Sequence, residues 1–242
     1  MVNLNNFFFS LLMGILPALL WLWFWLKEDR LHPEPRRLII LTFIAGMAVV
    51  VLALPVEQIA QITLKRFGML KALDGFIILF LWALIEESAK YFAARKAALK
   101  QKEFDEPVDA LVYLITAALG FAAAENVIFL TQISSNYGLM SGFITGNLRF
   151  VGATVLHIIS SATIGASVAF CFFHKENKKR NLTLGLFFAT LLHAFFNYFI
   201  IKGGGEKILE TFAPFWILII VLLLVFEKVK KLKTVKQQIL SK

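Results

Sequence analysis

Apolar residues in this chain neither alternate nor recur on a single stripe; they run on in long blocks broken by short polar stretches. Seven blocks stand out, at about 7–26, 38–61, 74–95, 107–131, 147–173, 182–201 and 209–227. About 20 apolar residues, rising 1.5 Å each, cross a hydrocarbon core roughly 30 Å thick. The pattern therefore predicts an all-α polytopic integral membrane protein with about seven transmembrane helices, organised as a single transmembrane domain over 1–242. Pro and Gly punctuate the connections, as in His32-Pro33-Glu34-Pro35 and Gly203-Gly204-Gly205. No soluble domain, internal repeat or low-complexity segment interrupts the layout. The first block follows Met1 to Asn6, which carry no Lys or Arg. It is too long for the apolar region of a signal peptide and lacks a small-x-small cleavage site, so it is expected to stay as a helix.

Composition supports this reading: the chain is 59% hydrophobic and 17% charged, with mean hydropathy +0.74, too apolar to cover a water-exposed surface. A net charge of +9 would suggest a nucleic-acid-binding face in a soluble protein. Here the basic residues fall between apolar blocks, which excludes that reading and makes charge a marker of topology. Lys27, Arg30, Arg36 and Arg37, then Arg95, Lys96, Lys100 and Lys102, then Lys175, Lys178, Lys179 and Arg180, lie on one side. With Lys228, Lys230, Lys231, Lys233, Lys236 and Lys242 of the tail they number 18, against 5 opposite (Lys65, Arg66, Lys71, Lys202 and Lys207). Positively charged loops stay in the cytoplasm. The N-terminus is thus expected outside and the C-terminus inside, in a multi-pass protein of the cell membrane. The lone Cys171 sits between Phe170 and Phe172 and reads as a small apolar residue.

Ionisable groups inside a spanning helix cost about 2.5–3.5 kcal/mol each, so each needs a partner or a function. The third block carries Glu86, Glu87 and Lys90; the fourth Glu125 and Asn126; the fifth Arg149 and His157, with Ser160 and Ser161; the sixth His193 and Asn197. Glu86 and Lys90 share a helical stripe, as do His193 and Asn197. Glu87 lies about 100° round from Glu86, so the two carboxylates are expected to point to different places. From the helix ends Glu86, His157 and His193 lie at roughly 14, 15 and 17 Å depth, with Glu125 at roughly 27 Å, nearer the outer face. Four helices thus bring candidates together between the midplane and the outer leaflet.

Carboxylates with imidazoles activate water, polarise a carbonyl and return a proton to a leaving amine. The same set, Glu86, Glu125, His157 and His193, is also suited to zinc with an open position, and the sequence leaves metal-free and metal-assisted hydrolysis both open. There is no His-Glu-x-x-His helix and no Gly-x-Ser-x-Gly elbow. Three plainer readings stand beside this one. Glu86 with Lys90 is an ion pair that specifies packing; Glu125 with Asn126 is interhelical glue; Arg149 snorkels or pairs with a carboxylate. Glu57 and Gln58 read as interfacial.

Taken in order, Glu-Glu-x-x-Lys (Glu86, Glu87, Lys90), Asp-x-x-x-Tyr (Asp109, Tyr113), Gly-Phe-x-x-x-Glu-Asn (Gly120, Phe121, Glu125, Asn126), Arg149 and His157, and His-x-x-x-Asn (His193, Asn197) resemble the PrsW family of intramembrane proteases over residues 82 to 197. That family is similar to the CAAX prenyl endopeptidases and Abi proteins. Glu125 stands where the CAAX motif has His, and Lys90 stands in place of a later Arg, which favours PrsW over prenyl processing. The resemblance implies a peptidase with its catalytic core within 74–201. Its substrate would be a single-pass membrane protein such as an anti-sigma factor, cut on its extracytoplasmic side to start a signalling cascade. It further implies Glu86 or Glu87 as the water-activating base, assisted by Glu125. His157 and His193 would orient water or stabilise the oxyanion, Asn197 would donate to it, and Lys90 would hold a glutamate ionised, with Asn126 and Arg149 in support. The rivals are a proton- or ion-coupled transporter using the same cluster as a relay, for which inverted repeats are missing, and a structural subunit whose polar residues only pack helices.

Overall fold

The computed structural model describes residues 4–27, 29, 33–69, 75–203 and 208–232; Arg30, His32, Lys71, Gly204, Gly205, Lys207, Lys233, Lys236 and Lys242 lie outside the described residues. The described chain is helical: α1 (Leu4–Leu26), α2 (Arg36–Arg66), α3 (Phe76–Ala97), α4 (Asp109–Tyr137), α5 (Leu139–Val151), α6 (Ala153–Phe170), α7 (Lys178–Gly203) and α8 (Ile208–Lys230). Six stretches are long and apolar enough to cross a membrane: α1, α2, α4, α5 with α6 as one stretch of 32 residues, α7, and Phe212–Lys230 of α8. At 22 residues α3 is long enough as well. What keeps it out of that group is Glu86, Glu87, Lys90, Arg95 and Lys96, the first three of which are buried in the bundle.

The fifth apolar block differs from its expected bounds of 147–173. The helical stretch begins at Leu139, ends at Phe170, and changes helix at Gly152. Polar residues hid its start: Ser141 Oγ donates to the Tyr137 carbonyl at 3.0 Å and Asn147 Nδ2 to the Phe143 carbonyl at 2.8 Å. Such back-bonding lets polar side chains sit in an apolar helix. Arg149 is consequently well inside this stretch rather than at its edge. A left-handed residue is needed where α4 turns into α5, and Gly138 supplies it at φ 86°.

The bundle is organised around α4, which is buried almost without break from Asp109 to Ala123. Its run of Ala, Gly and short side chains lets neighbours approach closely, as small residues do where helices pack in lipid. A side chain at Gly120 would meet the Phe43 backbone of α2, and one at Gly46 would meet the Ala117 backbone of α4. Gly165 of α6 lies equally near Ala110 and Leu111. On the outside, α1 and α2 expose Leu12, Leu16, Trp23, Val51, Leu52, Ile59 and Ile62, apolar side chains suited to lipid.

An acidic group ties the α1–α2 connection to the start of α4. Asp109 Oδ2 accepts the backbone N–H groups of Asp105 (3.0 Å) and Glu106 (2.8 Å). Tyr113 donates its hydroxyl to Glu34, whose carboxyl also meets that of Asp109. Asp29 approaches the same two carboxyls. Burial raises the Glu34 carboxyl above its ordinary value of 4.5, outweighing the opposing hydrogen bonds from Asp109 and Tyr113.

Two expectations follow from this packing. Because the atoms facing Gly120 and Gly46 are backbone, Gly120→Val or Gly46→Val should destabilise the bundle beyond the ~1–3 kcal/mol of ordinary overpacking; thermal unfolding in detergent measures it, and unchanged stability would overturn the close α2–α4 contact. Folding holds the Glu34 proton more tightly than the unfolded chain does, so stability tied to Glu34 is full at low pH and falls as pH rises from 4.5 through the raised folded value. Glu34→Gln should flatten that part of the unfolding profile, read as midpoint against pH.

Candidate active site

Lys90 is the hub. Its side chain is wholly buried, and Nζ lies 2.8 Å from Glu87 Oε1, 3.3 Å from Glu86 Oε2 and 2.7 Å from His157 Nδ1, with the Phe121 ring centroid at 4.5 Å. Helical spacing explains the first two contacts: Lys90 is four residues from Glu86 and three from Glu87, both within reach along one helix face. This corrects the expectation that the adjacent carboxylates point to different places. Their Cα atoms diverge, yet the long lysine side chain gathers both.

The hydrogen-bond roles fix both histidine tautomers. An ammonium only donates, so His157 Nδ1 accepts and its proton is on Nε2, which lies 3.0 Å from Glu125 Oε2. A carboxylate only accepts, so His193 carries its proton on Nδ1, 2.9 Å from Glu87 Oε1. The unprotonated nitrogens, His157 Nδ1 and His193 Nε2, lie 3.9 and 3.7 Å from Glu86 Oε2. The two rings meet edge to face with centroids 5.2 Å apart.

The two neighbouring glutamates differ in surroundings. Glu87 is fully buried and takes three donors: Lys90 Nζ, His193 Nδ1 and Ser161 Oγ, the last at 2.8 Å. Among the described residues Glu86 accepts a hydrogen bond only from Lys90, the longer of the two lysine contacts, and is 9% accessible at its side chain. Ser161 therefore serves Glu87 rather than His157, despite sharing a helix face with the histidine.

Towards the far end of α4 the site opens. The Glu125 side chain is 30% accessible and pairs with Arg149 Nη2 at 2.7 Å. Arg149 also donates to Asn126 Oδ1 and stacks over Phe129 at 4.6 Å. Asn126 Nδ2 in turn donates to Thr154 Oγ1 at 3.3 Å. The structure thus brings together Glu86, Glu87, Lys90, Glu125, His157 and His193, with Asn126 and Arg149 bracing the open side. Asn197 lies one turn beyond His193, partly exposed, with no side-chain hydrogen bond among the described residues. Asp109 and Tyr113 lie elsewhere, at the other end of α4: Asp109 is 16 residues before Glu125, about 24 Å along the helix axis. Thr154 and the Glu34 end of the acidic group had no sequence motif to announce them. The i,i+4 spacing of Asp109 and Tyr113 was the available sign of a shared partner.

The donor set suits a metal. Glu86, His157 and His193 offer ligand atoms within 4.8 Å of one another, and each histidine's other nitrogen is held by a carboxylate, the usual support for a metal-binding imidazole. Glu125 lies on the far side of the His157 ring from that group.

A profile described as PrsW family intramembrane metalloprotease matches residues 34–226. The chain is 32% identical over 208 residues to Protease PrsW of Oceanobacillus iheyensis, covering 85% of this chain and 88% of that protein. It is 29% identical over 192 residues to Protease PrsW of Clostridioides difficile, covering 77% of each. Against Protease PrsW of Bacillus subtilis it is 27% identical over 186 residues, covering 76% of this chain and 79% of that protein. No solved structure matches the chain. The profile spans the α2–α8 bundle and every charged group gathered around Lys90, and on that match the chain belongs to the PrsW family of intramembrane metalloproteases.

Proposed function

We propose that this membrane protease cleaves a single-pass membrane regulator, of the anti-sigma-factor kind, near its extracytoplasmic side, with Glu86 as the group that activates water. The observation that carries the reading is the contrast between the two carboxylates: Glu87 is saturated by three donors, whereas among the described residues Glu86 accepts only from Lys90 and is the more accessible of the two. The carrier reading gives way because the family is one of proteases.

Glu86 takes a proton from the attacking water and returns it to the leaving amine, the two halves of general acid–base catalysis. Glu87 fixes His193 through Nδ1, and Glu125 fixes His157 through Nε2, so that neither ring can rotate its lone pair away. Asn197, partly exposed one turn beyond His193, donates to the oxyanion that forms on the scissile carbonyl. Where a metal is held by Glu86, His157 and His193, Glu86 would serve as a ligand rather than as the base, and the metal would supply Lewis acidity and lower the pKa of a bound water in the base's place. The accessible side of the site, Glu125 and Arg149, faces the end of α4 that the basic-residue count puts outside, which supports extracytoplasmic cleavage.

In co-reconstituted vesicles with a single-pass substrate, Glu86→Gln should lower turnover by about 10²–10⁴-fold with helical content intact. Asn197→Ala should lower kcat by ~10²–10³-fold without loss of thermal stability, as loss of an oxyanion donor does. Glu87→Gln should reduce activity and stability together, since the amide keeps one acceptor oxygen and no charge where the carboxylate serves three donors with two. Wild-type turnover in Glu86→Gln would remove Glu86 from the mechanism.

A further inference from the structure

We propose that the Lys90 ammonium and a divalent metal are alternative occupants of one position, with Glu87 as the place to which Lys90 withdraws when metal binds. The inference rests on the reading of Glu86, His157 and His193 as the ligand group.

Lys90 Nζ takes up two of the three ligand groups, hydrogen-bonding His157 Nδ1 at 2.7 Å and Glu86 Oε2 at 3.3 Å. A nitrogen lone pair serves one cation at a time, so His157 Nδ1 cannot accept from the ammonium and bind a metal together. Two positive charges a few ångströms apart among buried groups also repel strongly. The third contact differs in kind. Glu87 Oε1 is 2.8 Å from Nζ, and its carboxylate faces the proton-bearing nitrogen of His193 rather than a lone pair, so Glu87 stands outside the ligand group. Lys90 can release His157 and Glu86 while keeping Glu87, without leaving a buried charge unpaired.

This gives the adjacent glutamates separate duties. Glu86 answers to whichever cation holds the centre, and Glu87 keeps the lysine when it is displaced. Without metal, Lys90 holds Glu86 and His157 directly and His193 through Glu87, so the ligand group stays assembled. The consequence is a trade: Lys90 stabilises the metal-free site and weakens metal binding.

The test is Co²⁺ binding to the purified full chain in nanodiscs, followed by visible absorption under chelator competition, for wild type, Lys90→Met and Lys90→Arg. Lys90→Met removes the competing charge and keeps the side-chain length; it should bind Co²⁺ at least ~10-fold more tightly, while Lys90→Arg, which retains a cation, should bind no more tightly than wild type. Metal-free Lys90→Met should melt at lower temperature than wild type, and Zn²⁺ should raise its melting point by more than it raises that of wild type. Where Lys90→Met folds only with Zn²⁺ present, that dependence is the same result in its extreme form. Adding His157→Ala to Lys90→Met should abolish the Co²⁺ band, which separates this site from the acidic group around Asp109. Equal or weaker Co²⁺ affinity in Lys90→Met overturns the proposal. Absence of Co²⁺ and Zn²⁺ binding in all variants, with wild type still cleaving its substrate in chelator, overturns it too but leaves the peptidase reading in place.

Discussion

An ammonium group cut off from water has three hydrogens to place, and Lys90 places all of them on groups that the chemistry needs. The arrangement of α3, α6 and α7 follows from that requirement. Glu86 and Glu87 come from the lysine's own helix, His157 from α6, and His193 from α7 by way of Glu87. Unpaired, any of these charges would carry a desolvation penalty of several kcal/mol. Together they offset one another, and the offset is available only when the three helices pack in this register. One electrostatic constraint thus serves both folding and the assembly of the site.

The rest of the bundle makes that register reachable. The Ala- and Gly-rich stretch of α4 brings α2 and α6 against its backbone, and further along the same helix Phe121 covers the lysine while Glu125 reaches His157. Close packing at one end of α4 and polar recognition at the other belong to a single helix, so the depth of Glu125 in the bundle is set by the glycine contacts below it. Arg149 and Asn126 close the network on its accessible side.

Much of this was legible in the sequence because hydrocarbon makes polar residues conspicuous. Glu86, Glu87, Lys90, His157 and His193 stood out against apolar runs, and their gathering from separate helices could be argued from depth alone. What escaped notice was whatever depends on side-chain reach rather than on backbone position. Helical angle separated Glu86 from Glu87, but a lysine three and four residues on spans the difference. The hydrogen bond from Ser161 to Glu87 of α3 joins residues 74 apart in the chain, which no local spacing announces. The start of the fifth apolar stretch was masked by Ser141 and Asn147, whose polarity is cancelled by carbonyls one turn back, a cancellation that hydropathy does not register.

The order in which these groups are synthesised adds a consequence for biogenesis. His157 lies 67 residues after Lys90, and His193 lies 106 after Glu87, so α3 enters the insertion machinery well before its imidazole partners exist. Its intrahelical Lys90 contacts neutralise part of the charge at once, but Glu87 lacks its Ser161 and His193 donors until α6 and α7 arrive. The helix that carries the reactive groups is thus the one least able to settle in the bilayer by itself. A ribosome that stalls between α3 and α6 would leave behind a fragment with an unmet charge in the hydrocarbon, a natural mark for membrane quality control to act upon.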